Sequence, residues 1–155
     1  MKLANGRLIL IRQLDSKIVS FKSLISIKSS PKGWINQIRT GLNMSQVQLA
    51  KRLGITAPAI IDLERREAEG AITLKSLKEA GEALNLKLVY GFVPKDGTLE
   101  AMIEQKAREQ AIEIIKRTSV TMKLEDQENS QSRLEEALLE LTNDIKREVP
   151  KSLWD

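Results

Sequence analysis

Between Gln46 and Leu63 a small residue, a turn glycine and two apolar anchors recur at spacings that suit two crossed helices joined by a tight turn: Ala50, Gly54, Ile60 and Leu63. Each residue type has a mechanical reason. Ala50 is small where the two helices would cross. Gly54 can adopt the positive φ that the turn between them requires. Ile60 and Leu63 plug the second helix into a core and leave its opposite face open. The flanks agree. Ser45 with Gln48 forms a capping box ahead of a helix over Gln46–Leu53, which Gly54 ends as a left-handed residue. Thr56 caps the next helix, where Pro58 is tolerated in the first turn, and that helix reaches about Arg66. An ordinary αα-hairpin would share part of this pattern; a helix-turn-helix at 45–66 accounts for all of it.

Around this motif the chain reads as mainly α-helical. Leu8, Ile11, Leu14, Ile18, Phe21 and Leu24/Ile25 recur at steps of three and four and predict an N-terminal helix ending near Ser29–Gly33. Trp34, Ile35, Ile38 and Leu42 make one helical face. Thr73 caps a further helix whose apolar side is Leu74, Leu77, Ala80, Ala83 and Leu84. Lys87–Val93 predicts one short β-strand, which must pair with a partner, the same strand of a second copy being the nearest candidate. Thr98 to about Lys123 is helical again. A polar patch over Glu125–Gln131 interrupts it, and Ser132 with Glu135 suggests a second capping box. Leu134, Leu138, Leu141 and Ile145 then form a short seam resembling a coiled coil. The divisions expected are 1–31, an N-terminal helical extension; 32–86, the helix-turn-helix domain; 87–97, strand and linker for dimerisation; and 98–155, helices for oligomerisation or partner binding.

Composition narrows the chemistry. The 155 residues contain neither cysteine nor histidine, which removes zinc fingers, thiolate nucleophiles, Ser–His catalysis and His-ligated metals, and no cofactor is expected. Residues 1–97 hold 16 Lys+Arg against 8 Asp+Glu, whereas residues 98–155 hold 9 against 13, so the basic excess lies with the motif. The longest early apolar run, Leu8–Ile11, is too short for a signal-peptide core or a membrane span, which leaves a cytoplasmic protein as the default. Glu64, Glu67 and Glu69 invite a carboxylate-site reading, but beside Arg65 and Arg66 they read better as a solvated helix end. Trp154 reads as part of a disordered tail or as a partner anchor, the first being the commoner case.

Residues 33–84 resemble the helix-turn-helix domains of phage repressors, the XRE/Cro-like family, through Met44-Ser45-Gln46, Leu49-Ala50, Leu53-Gly54 and Leu63-Glu64. With Gly33-Trp34-Ile35, Leu63–Ala68, Ile72-Thr73-Leu74, Leu88-Val89-Tyr90 and Pro94, residues 7–115 resemble the mobile mystery protein A family, found on mobile elements beside a Fic-domain protein. That resemblance implies a lambda-repressor-like fold and binding of double-stranded DNA. It implies that Gln46 meets a phosphate or base edge and that amides near Ser45 face a phosphate. Ala57, Pro58 and Asp62 would occupy base-reading positions. Ala57, Ala59 and Ile61 suit thymine methyls, and Asp62 suits either a cytosine amino group or a salt bridge to Arg65 or Arg66. Lys32, Arg39, Lys51, Arg65 and Arg66 are the candidate phosphate contacts. Leu88, Tyr90 and Phe92 are the candidate dimerisation residues.

The function expected is therefore a sequence-specific DNA-binding regulator, a homodimeric repressor of its own operon with a Fic-type neighbour, and not an enzyme. The competing expectation is an antitoxin-like module whose C-terminal helices bind a toxin. The Ser/Thr-x-x-x-Glu-Gly/Asn helix of known Fic-neutralising antitoxins is absent, because Arg65 and Leu124 stand where Ser or Thr is needed.

Overall fold

The computed structural model describes residues 2–122 and 131–155. Two compact units emerge, one formed by the chain up to Lys22 together with Phe92–Asp155, the other by Ser23–Gly91. No helix among the described residues is long and apolar enough to cross a membrane.

The Ser23–Gly91 unit contains α2 (Gly33–Gly41), α3 (Gln46–Leu53), α4 (Ala57–Ala68) and α5 (Leu74–Ala83). Their starts are written in the sequence. Ser45, Thr56 and Thr73 sit in extended backbone and accept from the amides of Gln48, Ala59 and Ser76, each satisfying a donor that the first helical turn leaves unpaired. Gly54 closes α3 in the left-handed region at φ 69°. The core is built from Ile35, Leu49, Ala50, Ile60, Leu63, Ala80 and Leu84. Leu49 and Ile60 are wholly buried, and each contributes about 1.5–3 kcal/mol through the apolar surface removed from water.

The other unit is made by α1 (Lys2–Ile18), α6 (Leu99–Met122) and α7 (Gln131–Glu148), with a closing 3-10 turn at Lys151–Trp154. Ala107 and Ala111 are fully buried, and this pair of small residues one turn apart lets Ile103, Ile145 and Leu153 close around them. The Leu138–Leu141–Ile145 seam is thus turned inward, while Leu134 stays exposed. Asp15 of α1 accepts from the amides of Leu99 and Glu100 at 2.8 and 3.1 Å, so a carboxylate caps α6 from another element while Thr98 caps it locally.

Four expectations are corrected. The N-terminal helix does not continue to Ser29: it becomes 3-10 over Val19–Ser26, where Ser20 and Ser26 hydroxyls donate to carbonyls three residues back and compete with α-helical geometry. Its inward stripe is Leu8, Ile11, Asp15 and Ile18 rather than one through the exposed Leu14. Lys87–Val93 forms no strand; beyond the Leu86 amide, which donates to Gly81, the segment has no ladder partner among the described residues, and β-propensity alone cannot supply one. Ser132 lies inside α7 rather than at its cap; the interruption expected over Glu125–Gln131 falls, Gln131 apart, outside the described residues. Finally, the C-terminus is ordered. Leu153 is buried and Ser152 accepts from Gln110 at 3.1 Å, although Trp154 itself remains half-exposed.

Candidate nucleic-acid interface

The scaffold of the candidate site is the α3–turn–α4 pair. In α4 the inward stripe is Ile60, Leu63 and Glu64, all buried. The helical period then puts Pro58, Ile61, Asp62, Arg65 and Glu69 on the opposite side. Ile61 is the apolar side chain of that side and is 53% exposed. The two alanines are less open. Ala57 is half-buried against the core and Ala59 is half-buried too, which leaves Ile61 as the accessible methyl donor for an apolar base contact.

At the start of α3 the capping box is complete. The Ser45 hydroxyl accepts from the Gln48 amide at 3.1 Å, and the Gln48 side chain accepts from the Ser45 amide at 2.8 Å. These two amides are therefore committed internally, and the Gln46 and Val47 amides are those that remain at the helix end. Gln46 is half-buried, and it is among the groups that lower the Glu64 carboxyl. The residue expected to meet DNA is thus electrostatically coupled to the core carboxylate.

Glu64 organises this region. It is 6% exposed and faces Arg39, which is 7% exposed. Arg39 Nε and Nη2 donate to its two oxygens at 2.6 and 3.2 Å, Asn36 donates at 2.7 Å, and Arg39 Nη1 reaches the Met44 carbonyl at 2.8 Å. Burial alone would raise the Glu64 carboxyl, but the hydrogen bonds from Arg39 and Asn36, the Arg39 charge and Gln46 together hold it below the usual carboxylate range. Arg39 therefore leaves the set of phosphate contacts: its guanidinium is buried and each of its three nitrogens donates a hydrogen bond within the unit. The solvated-end reading of the acidic residues fails for the same reason at two of three positions. Glu64 is a core ion pair. Glu67 turns back to α2, where its oxygens accept from the Trp34 and Ile35 amides at 2.9 Å each. Gly33 is required beside it, since a Cβ there would stand 2.8 Å from Glu67 Oε2 and φ is +83°. Only Glu69 is exposed.

The remaining cations divide into two kinds. Lys32 and Lys51 are exposed, and Lys51 lines a groove with Asn43, Met44 and Gln48. Arg65 and Arg66 are engaged with Asp62, so the salt-bridge alternative for Asp62 is the one seen. Arg52, not singled out from the sequence, donates to the Ala83 carbonyl at 3.2 Å and ties α3 to the end of α5. In the extended segment Leu88 is half-buried and Tyr90 exposed; Phe92 is 86% exposed. Leu24, Ile27, Trp34, Leu86, Leu88 and Val89 line a largely apolar cavity of about 460 Å³.

Residues 35–90 match the family described as helix-turn-helix, a match of the XRE type. The match covers four of the helices described above and stops one residue short of the end of their compact unit. No significant match is found among curated proteins or among solved structures.

Proposed function

We propose that this chain is a sequence-specific DNA-binding transcriptional regulator acting in the cytoplasm, an autoregulating repressor of an operon shared with a Fic-type protein, and not an enzyme. The observation that carries this reading is the helix-turn-helix at 46–68, with α4 anchored by Ile60, Leu63 and Glu64 and its other side open. In that reading α4 enters the major groove, Ile61 meets a thymine methyl, and Lys32 and Lys51 meet phosphates. Base hydrogen bonding is sparse on this side of α4, so groove shape and phosphate geometry carry much of the recognition.

A homodimer belongs to the same proposal. The segment after Leu86, with Leu88 and Val89, borders an apolar surface that includes Leu24, Ile27 and Trp34, and a second copy would pair its own segment there, next to the exposed Tyr90. The alternative, an antitoxin-like module acting through α6 and α7, draws on the exposed Leu134 and Leu139 but loses the seam that faces inward. The deciding experiment is a mobility shift with the DNA upstream of the gene at several salt concentrations. A sequence-dependent, salt-sensitive shift is expected; its absence overturns the regulator reading.

A further inference from the structure

The outward side of α4 carries a closed set of ion pairs. Asp62 Oδ1 accepts from Arg65 Nη2 at 2.5 Å, and Oδ2 faces Arg66 Nε at 2.9 Å. Arg65 uses its other terminal nitrogen on Glu69 at 2.7 Å. One carboxylate thus holds two guanidiniums, and the four side chains sum to zero charge on the side that would face DNA. Asp62 and Arg65 lie at the surface, 49% and 56% exposed, whereas the Arg66 side chain is 37% exposed and its Nε is buried, with the Asp62 ion pair but no well-aligned hydrogen bond. Ion pairs on a solvated helix surface are weak, so they open at small cost. Lys32 and Lys51, by contrast, make no ion pair among the described residues.

These facts define two tiers of cation. The lysines are available to any phosphate. The arginines are available only when something stronger than Asp62 draws them away, and the carboxylate itself repels a backbone that approaches without doing so. A duplex whose groove seats Ile61 and α4 deeply brings phosphates within reach of Arg65 and Arg66 and lets the guanidiniums change partners. A duplex that does not seat the helix leaves the set closed. We propose that Asp62 is a specificity-determining residue: by clamping Arg65 and Arg66 it withholds them from non-specific phosphate contact, weakening binding to random DNA more than binding to the cognate site. Repulsive elements of this kind raise selectivity without adding attraction. The inference rests on the DNA-binding reading above.

The test compares the full-length wild type with Asp62→Asn, Asp62→Ala and the double variant Asp62→Asn/Arg65→Ala. Binding is measured by fluorescence anisotropy on a random duplex and on a duplex selected from a random library by the wild type. Asp62→Asn is expected to bind the random duplex about 3–10-fold more tightly near 0.1 M salt, with the log–log salt slope steeper by about 0.9 per guanidinium released. The ratio of selected to random affinity falls by a similar factor, Asp62→Ala behaves alike, and the added Arg65→Ala removes most of the gain. Two results overturn the clamp: random-duplex affinity and slope unchanged in Asp62→Asn, or affinity lost for the selected duplex alone, which would make Asp62 a base acceptor. A wild type with no salt-dependent binding to either duplex overturns the DNA-binding reading itself, and the clamp with it.

Discussion

Replacing Glu64 by glutamine removes one charge from a site where both partners are more than nine-tenths buried. Glutamine keeps the shape and can still accept one hydrogen bond, but Arg39 keeps its charge. The guanidinium then has the Met44 carbonyl as its remaining strong acceptor. Removing one partner of a buried pair costs about 3–5 kcal/mol, because the other ion stays desolvated and uncompensated. A unit of roughly 70 residues has a total stability of about 3–10 kcal/mol, so Glu64→Gln should bring the helix-turn-helix unit close to its unfolding midpoint in water. The chain supplies a convenient reporter, for it has two tryptophans, Trp34 beside the Glu67-capped end of α2 and Trp154 in the other unit. In a Trp154→Phe background, urea unfolding followed by Trp34 emission should show the midpoint falling by at least about 3 M at an m-value near 1 kcal/mol/M. A loss below about 1 kcal/mol would refute the reasoning, since it would mean that water reaches and solvates Arg39 in the folded state.

Two further outcomes follow from the same geometry. Gly33→Ala should destabilise the same unit by about 2–3 kcal/mol, about 1–2 from the left-handed backbone and the rest from pushing Glu67 off the Trp34 and Ile35 amides; Trp34-detected melting checks it. In the α1–α6–α7 unit, hydrogen bonds from Arg12 and then Lys146 lower the Glu100 carboxyl from 4.5 to about 2. A depressed carboxyl stabilises the folded form fully above its unfolded value, so this contribution is present above about pH 4.5 and is lost as pH falls towards 2. Acid titration monitored by Trp154 emission in a Trp34→Phe background should show the loss, and Glu100→Gln should flatten it.

What was legible in the sequence was what local spacing determines. Ser45, Gly54, Thr56 and Thr73 act within one turn of themselves, and the structure uses each as its residue type suggests. Ala50, Ile60 and Leu63 were legible because a crossing of two helices separated by a single turn is nearly local too. Arg39 and Glu64 were misread because their meaning depends on α2 packing against α4. The signal was nonetheless present: Arg39 follows Ile35, and Glu64 follows Ile60, by four residues, so opposite charges stand on two inward stripes. Glu67 was missed for a different reason, since its partners are backbone amides that have no residue signature. Lys87–Val93 shows the converse. Its residue types suit a strand, yet a ladder is a property of two segments, and the described residues supply only one.

Apolar contacts through Ile60 and Leu63 set how deeply α4 is buried, but they tolerate rotation about its axis. A carboxylate held by two nitrogens of Arg39 and by Asn36 does not, because each bond fixes a direction as well as a distance. Glu64 thereby ties α4 to α2. This separates two roles that a single Glu64 variant would confuse. Replacing both ions with apolar residues of similar volume, as in Arg39→Met/Glu64→Leu, removes the buried charges together, and such exchanges are often neutral or stabilising. The double variant should therefore unfold within about 1 kcal/mol of the wild type or above it. It should nevertheless lose selectivity between the selected and random duplexes, because the directional bonds from Arg39 and Asn36 are gone and α4 is free to turn. Paired urea melts and anisotropy titrations decide the matter. A stable double variant with undiminished selectivity would show that the apolar anchors alone orient the reading helix, and the buried pair would then be a contribution to folding with no part in recognition.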